Sequence, residues 1–584
     1  MPYTILISMK ERGSFLKNIC VLVLAIIAIL ISSLAFGFYF GRAYLFISIL
    51  ALPFGYFIIR TFRELRKSKL LVSLRKRWGT SKTHETDSAE ICKYFRKTAA
   101  IRESKYIVDD RTWTDLDMDL IYSRLNQTLT IPGEQMLYAL LRTPAFSRKP
   151  LKERGEIINR FVKDQEIRER VQIVLSKLGK SGGKFVVDLL WDERPARNKL
   201  AFLYPWILLL IPIFIILGLL GHHLGWVGLI ALLLGNAAIH YRTKRKFAED
   251  LPSIRYLGRL VKCANRLSGL QDSSLAAYLT KLKSALDKVS SIVPKTALLS
   301  LGENNALYEY LNILFLIEVR AFHSYLKLME KFENQLRDIF ETIGFLDAMV
   351  AVASYKVGLN DPAEPELTDS TLFLDIESIA HPLLEKPVLN SVNLRTGGML
   401  VTGSNMSGKT TFLKTIGVNM LFAQTLHFCL AKKFSSSFFN ILTLIGRKDN
   451  IIEGKSYYLD EILTLLRIIQ ACQQDIPCLC LIDEPFRGTN SVERISASAE
   501  VLLYLAKKNG LVFASTHDLE LTRLVADAYV NYHFQEEIGE HGLLFNYQLR
   551  EGPSETRNAI KLLRHVGYPE EITEAAEQRI HGIK

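Results

Sequence analysis

Paired cysteines are the first thing this chain lacks. Its 584 residues hold seven cysteines, an odd number, with no CxxC spacing among them. That pattern argues against a disulfide-stapled fold and against a cysteine-ligated structural metal. Cys478 and Cys480 alternate inside an apolar run and read as buried strand residues. No internal repeat or low-complexity tract is visible. Glycine and proline are sparse over residues 244–355, so that stretch has few places to turn and reads as helical.

Charge is missing from four segments: residues 18–40, 43–59, 200–220 and 224–241 hold no Lys, Arg, Asp or Glu. A bilayer core of about 30 Å needs roughly 17–25 helical residues to cross it, and each segment meets that length. They read as two transmembrane hairpins, joined around Gly41-Arg42 and around Gly221-His222-His223. Arg60, Arg63, Arg66, Lys67 and Lys69 follow the first pair, and Arg242, Lys244, Arg245 and Lys246 follow the second. The turns are nearly free of basic residues, so the positive-inside bias places both large polar regions in the cytoplasm. A cleaved signal peptide fits the first segment poorly, because its apolar run exceeds the usual 7–15 residues or so. The formal net charge of +13 has two physical readings, attraction to anionic lipid and attraction to nucleic acid. The basic cluster of residues 60–77 abuts an apolar segment, which makes lipid its nearer partner. Charge alone does not establish DNA binding.

These features divide the chain into a cytoplasmic N-terminus (1–17), hairpin 1 (18–59), a first helical part (60–198), hairpin 2 (199–241), a second helical part (242–359), a linker (360–370) and a C-terminal domain (371–584). In the first helical part Leu116, Leu120, Tyr122, Leu125 and Leu129 recur at near-helical spacing, and Ile131-Pro132-Gly133 punctuates the pattern before Leu137, Leu140 and Leu141. After the proline-broken linker, short apolar runs at residues 399–402, 478–482 and 511–514 alternate with helical stretches. That alternation predicts an α/β domain with a largely parallel sheet.

The chemistry is concentrated in that last domain. Gly403-Ser404-Asn405-Met406-Ser407-Gly408-Lys409-Thr410, followed by Thr411, is a complete G-x-x-x-x-G-K-[ST] phosphate loop between a predicted strand and a predicted helix. Backbone N–H groups of such a loop form an anion nest, and the helix N-terminus adds its positive end. Lys409 is expected to reach the β- and γ-phosphates of ATP, and the Thr410 hydroxyl to ligate Mg²⁺. The run 478–482 ends in Asp483-Glu484, an expensive place for charge unless a cation or a reaction requires it. Asp483 is expected to hold Mg²⁺ and Glu484 to orient the attacking water. The run 511–514 ends in Ser515-Thr516-His517, and His517 is positioned to sense the γ-phosphate.

These residues, with Pro485-Phe486-Arg487-Gly488-Thr489 and Asp518-Leu519-Glu520-Leu521, resemble the MutS family of ABC-type ATPases. His381-Pro382-Leu383-Leu384-Glu385 is similar to the opening of that family's ATPase domain, and residues 449–461 to its signature segment. The resemblance implies a homodimer that sandwiches ATP, with Ser456 contacting the γ-phosphate bound by the other subunit and Arg487-Gly488-Thr489 crossing the seam. The family's adenine contact falls near Val388, where an aromatic is common, and Ser404 replaces a usual proline. Two weaker resemblances lie in the helical parts: residues 125–137, with a Thr-x-x-Gly turn, resemble the start of the family's helical core, and Phe345-Leu346-Asp347-Ala348 the end of its lever. The expected fold is therefore an α/β ABC-type P-loop ATPase domain, an all-α core and lever, and two transmembrane hairpins. No mismatch-reading domain is expected, since membrane segments stand in its place. Phe62-Arg63-Glu64, Phe247-Ala248-Glu249 and Phe534-Gln535-Glu536 share the spelling of the family's mismatch wedge by accident. No C-terminal nuclease module is expected either.

Two functions compete. One is a membrane-anchored Mg-ATPase coupled to DNA, without mismatch preference, near a bacterial inner membrane. The other is an ATP-driven mechanical or signalling membrane protein with no nucleic-acid role. A transporter fits less well, because the segments carry no charged residue for a substrate path. Partners are thus a second copy, membrane lipid and, in the first reading, DNA, with no small-molecule substrate other than ATP.

Overall fold

The computed structural model describes residues 21–584 apart from 37, 40–45, 47, 50, 81–87, 100–105, 193–203, 247–249, 290–305, 370–371, 405, 447–456, 540–541, 555–562, 565 and 583–584. The chain forms two units, Met1–Trp78 and Gly79–Lys584. The first contains an apolar helix α1 (Val21–Phe36) and α2 (Ala51–Arg77). Helix α2 runs from the apolar segment through the basic cluster without a break, because nothing between Ile59 and Arg77 stops a helix. The first expected hairpin turn, Gly41-Arg42, lies outside the described residues.

After two short helices, Ser88–Ile91 and Lys93–Ala99, the helical part of the second unit continues with α3 (Asp110–Asp115), α4 (Met118–Leu125), α5 (Ile131–Arg142) and α6 (Arg148–Lys163). The leucine periodicity around 116–129 is interrupted where Asp117 takes a φ of 53°, so it covers two short helices and a loop. Ile131-Pro132-Gly133 begins α5, with Thr130 as its N-cap accepting from the Gly133 N–H at 3.1 Å. Proline is tolerated in a first helical turn, where the missing N–H has no intrahelical acceptor.

The second apolar pair forms a helical hairpin of α8 and α9, after α7 (Gln165–Leu178). Helix α8 is Tyr204–Leu219 and α9 is His223–Lys246. A Cβ on Gly225 would lie 2.3 Å from the Gly218 nitrogen, so only glycine permits this close backbone approach. Among the described residues one helix is long and apolar enough to cross a membrane, His223–Thr243, with mean hydropathy 1.5. Helix α8 has 16 residues, or about 24 Å at the α-helical rise, short of a ~30 Å hydrocarbon core. Two full transmembrane hairpins are thus not reproduced; α1 and the apolar part of α8 are shorter than a span.

Three helices lead from this hairpin toward the C-terminal domain: α10 (Ala306–Phe315), α11 (Ile317–Lys331) and α12 (Glu333–Val357). The end of the stretch read as helical, residues 244–355, is therefore divided, at Leu316 with φ 48° and at Phe332. Asn236 on α9 donates to the Leu314 carbonyl at 3.0 Å, and Tyr204, Leu316 and Val319 form a small buried cluster. Farther along α12, the fully buried Asp347 accepts from the Leu129 and Thr130 N–H groups and from Thr130 Oγ1. Burial pushes this carboxyl up to about 6, while the hydrogen bonds from Thr130 and Leu129 work against the rise. Gly133 is required at this joint because a Cβ there would lie 2.1 Å from Asp347 Oδ2. Gly133→Ala must expel the carboxylate from three donors. It is expected to destabilise the protein by about 3 kcal/mol, visible as a lowered thermal unfolding midpoint by circular dichroism. An unchanged midpoint would show that the joint tolerates the methyl group.

The C-terminal domain has two sheets. One has the order β1-β5-β2-β3, from β1 (Glu366–Thr368), β2 (Leu374–Ile379), β3 (Asn390–Leu394) and β5 (Lys433–Ser437). The stretch expected as a linker is tied into it, since β1 pairs with β5 and Ala363 bridges Cys429. The other sheet has the order β10-β9-β4-β8-β7-β6, parallel except for the β9–β10 pair. Its strands are β4 (Gly398–Thr402), β6 (Asn440–Leu444), β7 (Cys478–Asp483), β8 (Gly510–Thr516), β9 (Tyr529–Gly539) and β10 (Gly542–Glu551). Strands β4 and β8 are buried at every residue, as continuous apolar runs in a covered parallel sheet should be. Helices α13 (Lys409–Leu426), α14 (Tyr457–Ala471), α15 (Ser491–Ala506) and α16 (Leu519–Leu524) pack around these strands.

Polar contacts join the helical part to this domain. Asp115 accepts from Thr443 Oγ1 at 2.8 Å and from the Ile445 N–H at 2.9 Å, and burial raises its carboxyl. Arg111 pairs with Asp460 on α14 at 3.0 Å, and Lys414 on α13 with Asp117 at 2.6 Å.

Candidate nucleotide site

Three strand ends converge. Strand β8 lies between β4 and β7, with Thr402 opposite Thr516 and Asp483 opposite Ser515. The phosphate loop, the acid pair and His517 therefore meet at the carboxyl edge of one parallel sheet, where α/β folds place their ligands.

The loop leaves β4 at Gly403 and enters α13 at Lys409. Gly403 and Gly408 hold φ of 144° and 109°, and Met406, at 68°, is largely exposed. The Ser407 hydroxyl is buried with no hydrogen-bond partner among the described residues. Lys409 Nζ donates to the Gly403 and Ser404 carbonyls, each at 2.9 Å, and lies 3.3 Å from His517 Nε2. Its ammonium thus sits inside the loop, where a phosphate oxygen can replace a carbonyl as acceptor. Thr411 lines the same cleft. Asn405 and Ser456 lie outside the described residues, as does most of the signature-like segment.

Thr410 Oγ1 donates to Asp483 Oδ2 at 2.8 Å, and Ser515 Oγ donates to the other carboxylate oxygen. A hydroxyl and a carboxylate side by side are the hard oxygen donors that Mg²⁺ prefers, so the expected metal pair fits. The sequence alone does not mark Ser515 for this role; its register opposite Asp483 makes it the carboxylate's orienter. Glu484 takes a φ of 49°, and its Oε1 lies 2.6 Å from His517 Nε2. The hydrogen bond to His517 holds this carboxyl below its usual range. Burial opposes that shift, while the charges of His517, Arg487 and Lys409 assist it. Arg487 Nε is 3.5 Å from Glu484 Oε2. Glu484 is therefore an anion at neutral pH, in the state needed to accept a proton from water. Arg494 holds Asp518 through two hydrogen bonds, of 2.8 and 2.7 Å, and so fixes the turn after His517.

The cleft beside the loop measures about 440 Å³ and includes Val388, Met406, Thr410, Glu484, Phe534 and Tyr547. Val388 is thus part of the cleft wall. Tyr547 is the aromatic that sequence reasoning missed. It lies on β10, its ring comes within 3.2 Å of where a Gly408 Cβ would be, and its carbonyl accepts from Asn390 Nδ2 at 3.0 Å. Nothing in the local sequence around Tyr547 marks it, since β9 and β10 alone bring it to the loop.

The family model of MutS domain V matches residues 399–584. The chain is 26% identical over 499 residues to the DNA mismatch repair protein MutS of a Thermus thermophilus strain, covering 78% of this chain and 60% of that protein. The MutS of Thermus aquaticus is 26% identical over 506 residues, covering 80% and 61%. That of Petrotoga mobilis is 28% identical over 271 residues, covering 44% and 31%. The chain thus spans about three-fifths of the length of the first of these relatives. Matching motifs at one sheet edge, a domain V match over the same residues and similarity continuing into the helical part lead to one conclusion: the C-terminal part of this chain is a MutS domain V, and the chain is similar to MutS proteins beyond it.

Proposed function

We propose that this protein is a membrane-anchored Mg-ATPase that works as a homodimer and couples its nucleotide cycle to DNA, without mismatch preference, near a bacterial inner membrane. The carrying observation is the convergence of Lys409, the Thr410–Asp483 pair and the Glu484–His517 pair at the ends of β4, β7 and β8. In this reading Lys409 exchanges loop carbonyls for the β,γ-phosphates, and the loop amides cradle the same group. Thr410 and Asp483 hold Mg²⁺, which neutralises phosphate charge when bound. Glu484 orients a water in line with the γ-phosphorus and takes its proton, while His517, beside both Glu484 and Lys409, senses whether the γ-phosphate is present. Ser456 is assigned to the γ-phosphate bound by the other subunit, and Tyr547 to the base.

The membrane part of the proposal is supported by the second hairpin. Trp206, Leu209, Ile213, Ile216, Leu224, Val227, Ile230 and Leu234 are exposed along it, an apolar surface that lipid would cover. The ATPase and helical regions are assigned to the cytoplasm.

A second reading, an ATP-driven mechanical device with no nucleic-acid role, is favoured by the contiguous path from α9 through α10, α11 and α12 to the Asp347 joint. Spin labels at His222, in the hairpin turn, test the coupling both readings share. The inter-subunit distance is expected to differ between nucleotide-free protein and an ATP-trapped Glu484→Gln dimer. An unchanged distance leaves the hairpin a passive anchor. Duplex DNA separates the readings: the DNA-coupled one requires ATPase stimulation that fades as salt rises and is equal for paired and mismatched duplexes. No stimulation at low salt selects the mechanical reading, and a mismatch preference at physiological salt overturns the absence of mismatch reading.

A further inference from the structure

Glu461 is a carboxylate inside the core. It lies on α14 and is 2% exposed. A buried acid is costly to keep unless it holds a donor in return. Its Oε1 accepts the Phe486 backbone N–H at 2.7 Å. Phe486 is two residues past Glu484, and Pro485 between them has no N–H. The Phe486 amide is therefore the first donor beyond Glu484 by which the fold can grip the chain.

The chain needs a grip there. Glu484 and Phe486 both take left-handed backbone angles, φ 49° and 60°, which residues with a Cβ rarely adopt. Such a turn persists only where surrounding contacts over-determine it. Three hydrogen bonds do so. The Glu484 N–H donates to the Ser515 carbonyl at 3.1 Å, Ser498 Oγ on α15 to the Pro485 carbonyl at 3.3 Å, and the Phe486 N–H to Glu461. The last is the shortest, and it alone has a carboxyl acceptor. The Phe486 ring also joins the buried cluster that contains Leu465 and Ile468 of α14.

Helix α14 is itself tied to the helical part. Arg111 on α3 bonds Asp460 and Thr464, and Asp109 pairs with Arg467. Its first residue, Tyr457, follows Ser456 in sequence, the residue assigned to the other subunit's γ-phosphate. We infer that Glu461 is a positioning residue for ATP hydrolysis. It fastens the 484–486 turn to α14, so that the aim of the Glu484 carboxylate depends on the placement of the helix that follows Ser456. This rests on the reading of Glu484 as the base.

The test measures ATP turnover and Mg-ATP affinity of the full chain in phosphatidylcholine nanodiscs. The variants are Glu461→Asp, Glu461→Gln, Glu484→Gln and the double variant Glu461→Asp with Glu484→Gln. Rates are counted per bound nucleotide, so unfolded protein does not enter. Aspartate keeps the charge but stops one methylene short of the Phe486 N–H, whereas glutamine gives up the charge and keeps a carbonyl at full reach. Glu461→Asp is expected to lower kcat by about 100-fold, the scale for a misplacement of about 1 Å, with affinity unchanged within about twofold. Glu461→Gln should restore kcat to within about threefold of wild type, since a neutral acceptor still holds the amide. In the Glu484→Gln background Glu461→Asp should lower the residual rate no further, because it acts through the carboxylate already removed.

Glutamine as damaging as aspartate, affinity falling in step with kcat, or an additive loss in the double variant overturns the positioning role. A slowed Glu484→Gln beside an undiminished Glu461→Asp removes the inference alone. Wild-type turnover of Glu484→Gln removes the base assignment, and the inference with it.

Discussion

Glu484→Gln is expected to lower steady-state ATP turnover by about 10³-fold, within the range for removal of a general base, while Mg-ATP still binds. The geometry explains the split between binding and turnover. Among the described residues the Glu484 carboxylate pairs with His517 and Arg487, with no hydrogen bond to the phosphate loop or to the Thr410 and Asp483 side chains. Glutamine keeps the shape and accepts a hydrogen bond through its carbonyl, but it takes no proton from water. The variant should therefore accumulate the ATP-bound dimer, measured as retained nucleotide after gel filtration beside a phosphate-release assay. Turnover at the wild-type rate would remove Glu484 from the mechanism and shift attention to His517.

Lys409→Ala is expected to weaken Mg-ATP binding by about 100-fold, the cost of losing charge-assisted hydrogen bonds worth ~1.5–3 kcal/mol each. Lys409 is 5% exposed and already holds two loop carbonyls at 2.9 Å. Alanine thus removes both the phosphate ligand and an internal brace of the loop. Calorimetric titration separates the two effects. Lost affinity with an unchanged unfolding midpoint assigns the lysine to phosphate, whereas a large fall in the midpoint assigns it to loop structure. Unchanged affinity would refute the phosphate assignment.

The acid pair and the phosphate loop were legible in the sequence because their chemistry is local. A run of backbone amides, a lysine and a hydroxyl must be contiguous to wrap one phosphate group, and an apolar strand ending in two acids advertises its own cost. His517 was legible only through the company of the other two motifs, and the structure shows what brings it to them. Strand β8 lies between β4 and β7, so the residues at its end reach both Lys409 and Glu484. Ser515 and Tyr547 were not legible, because each acquires its place through strand register and sheet order rather than through its neighbours in sequence. The same holds for Gly133. Its Thr-x-x-Gly spacing was visible, but its necessity comes from Asp347, more than two hundred residues away.

The apolar segments show the opposite limit. Absence of charge over about twenty residues reports solubility in lipid, and the sequence alone carries that information. It does not report where a helix ends. Helix α2 continues past its apolar stretch to Arg77, and α8 stops at Leu219. By itself, then, the sequence determined the phosphate loop, the acid pair, the parallel α/β domain and the apolar character of the hairpins, since each rests on residues close along the chain. Tertiary structure alone decided the hold of Glu461 on the Phe486 amide, the Asp347 joint and the approach of Tyr547 to the loop. Each of those is a contact between distant segments, and only the closed sheet and the packed helices fix the distances that make it.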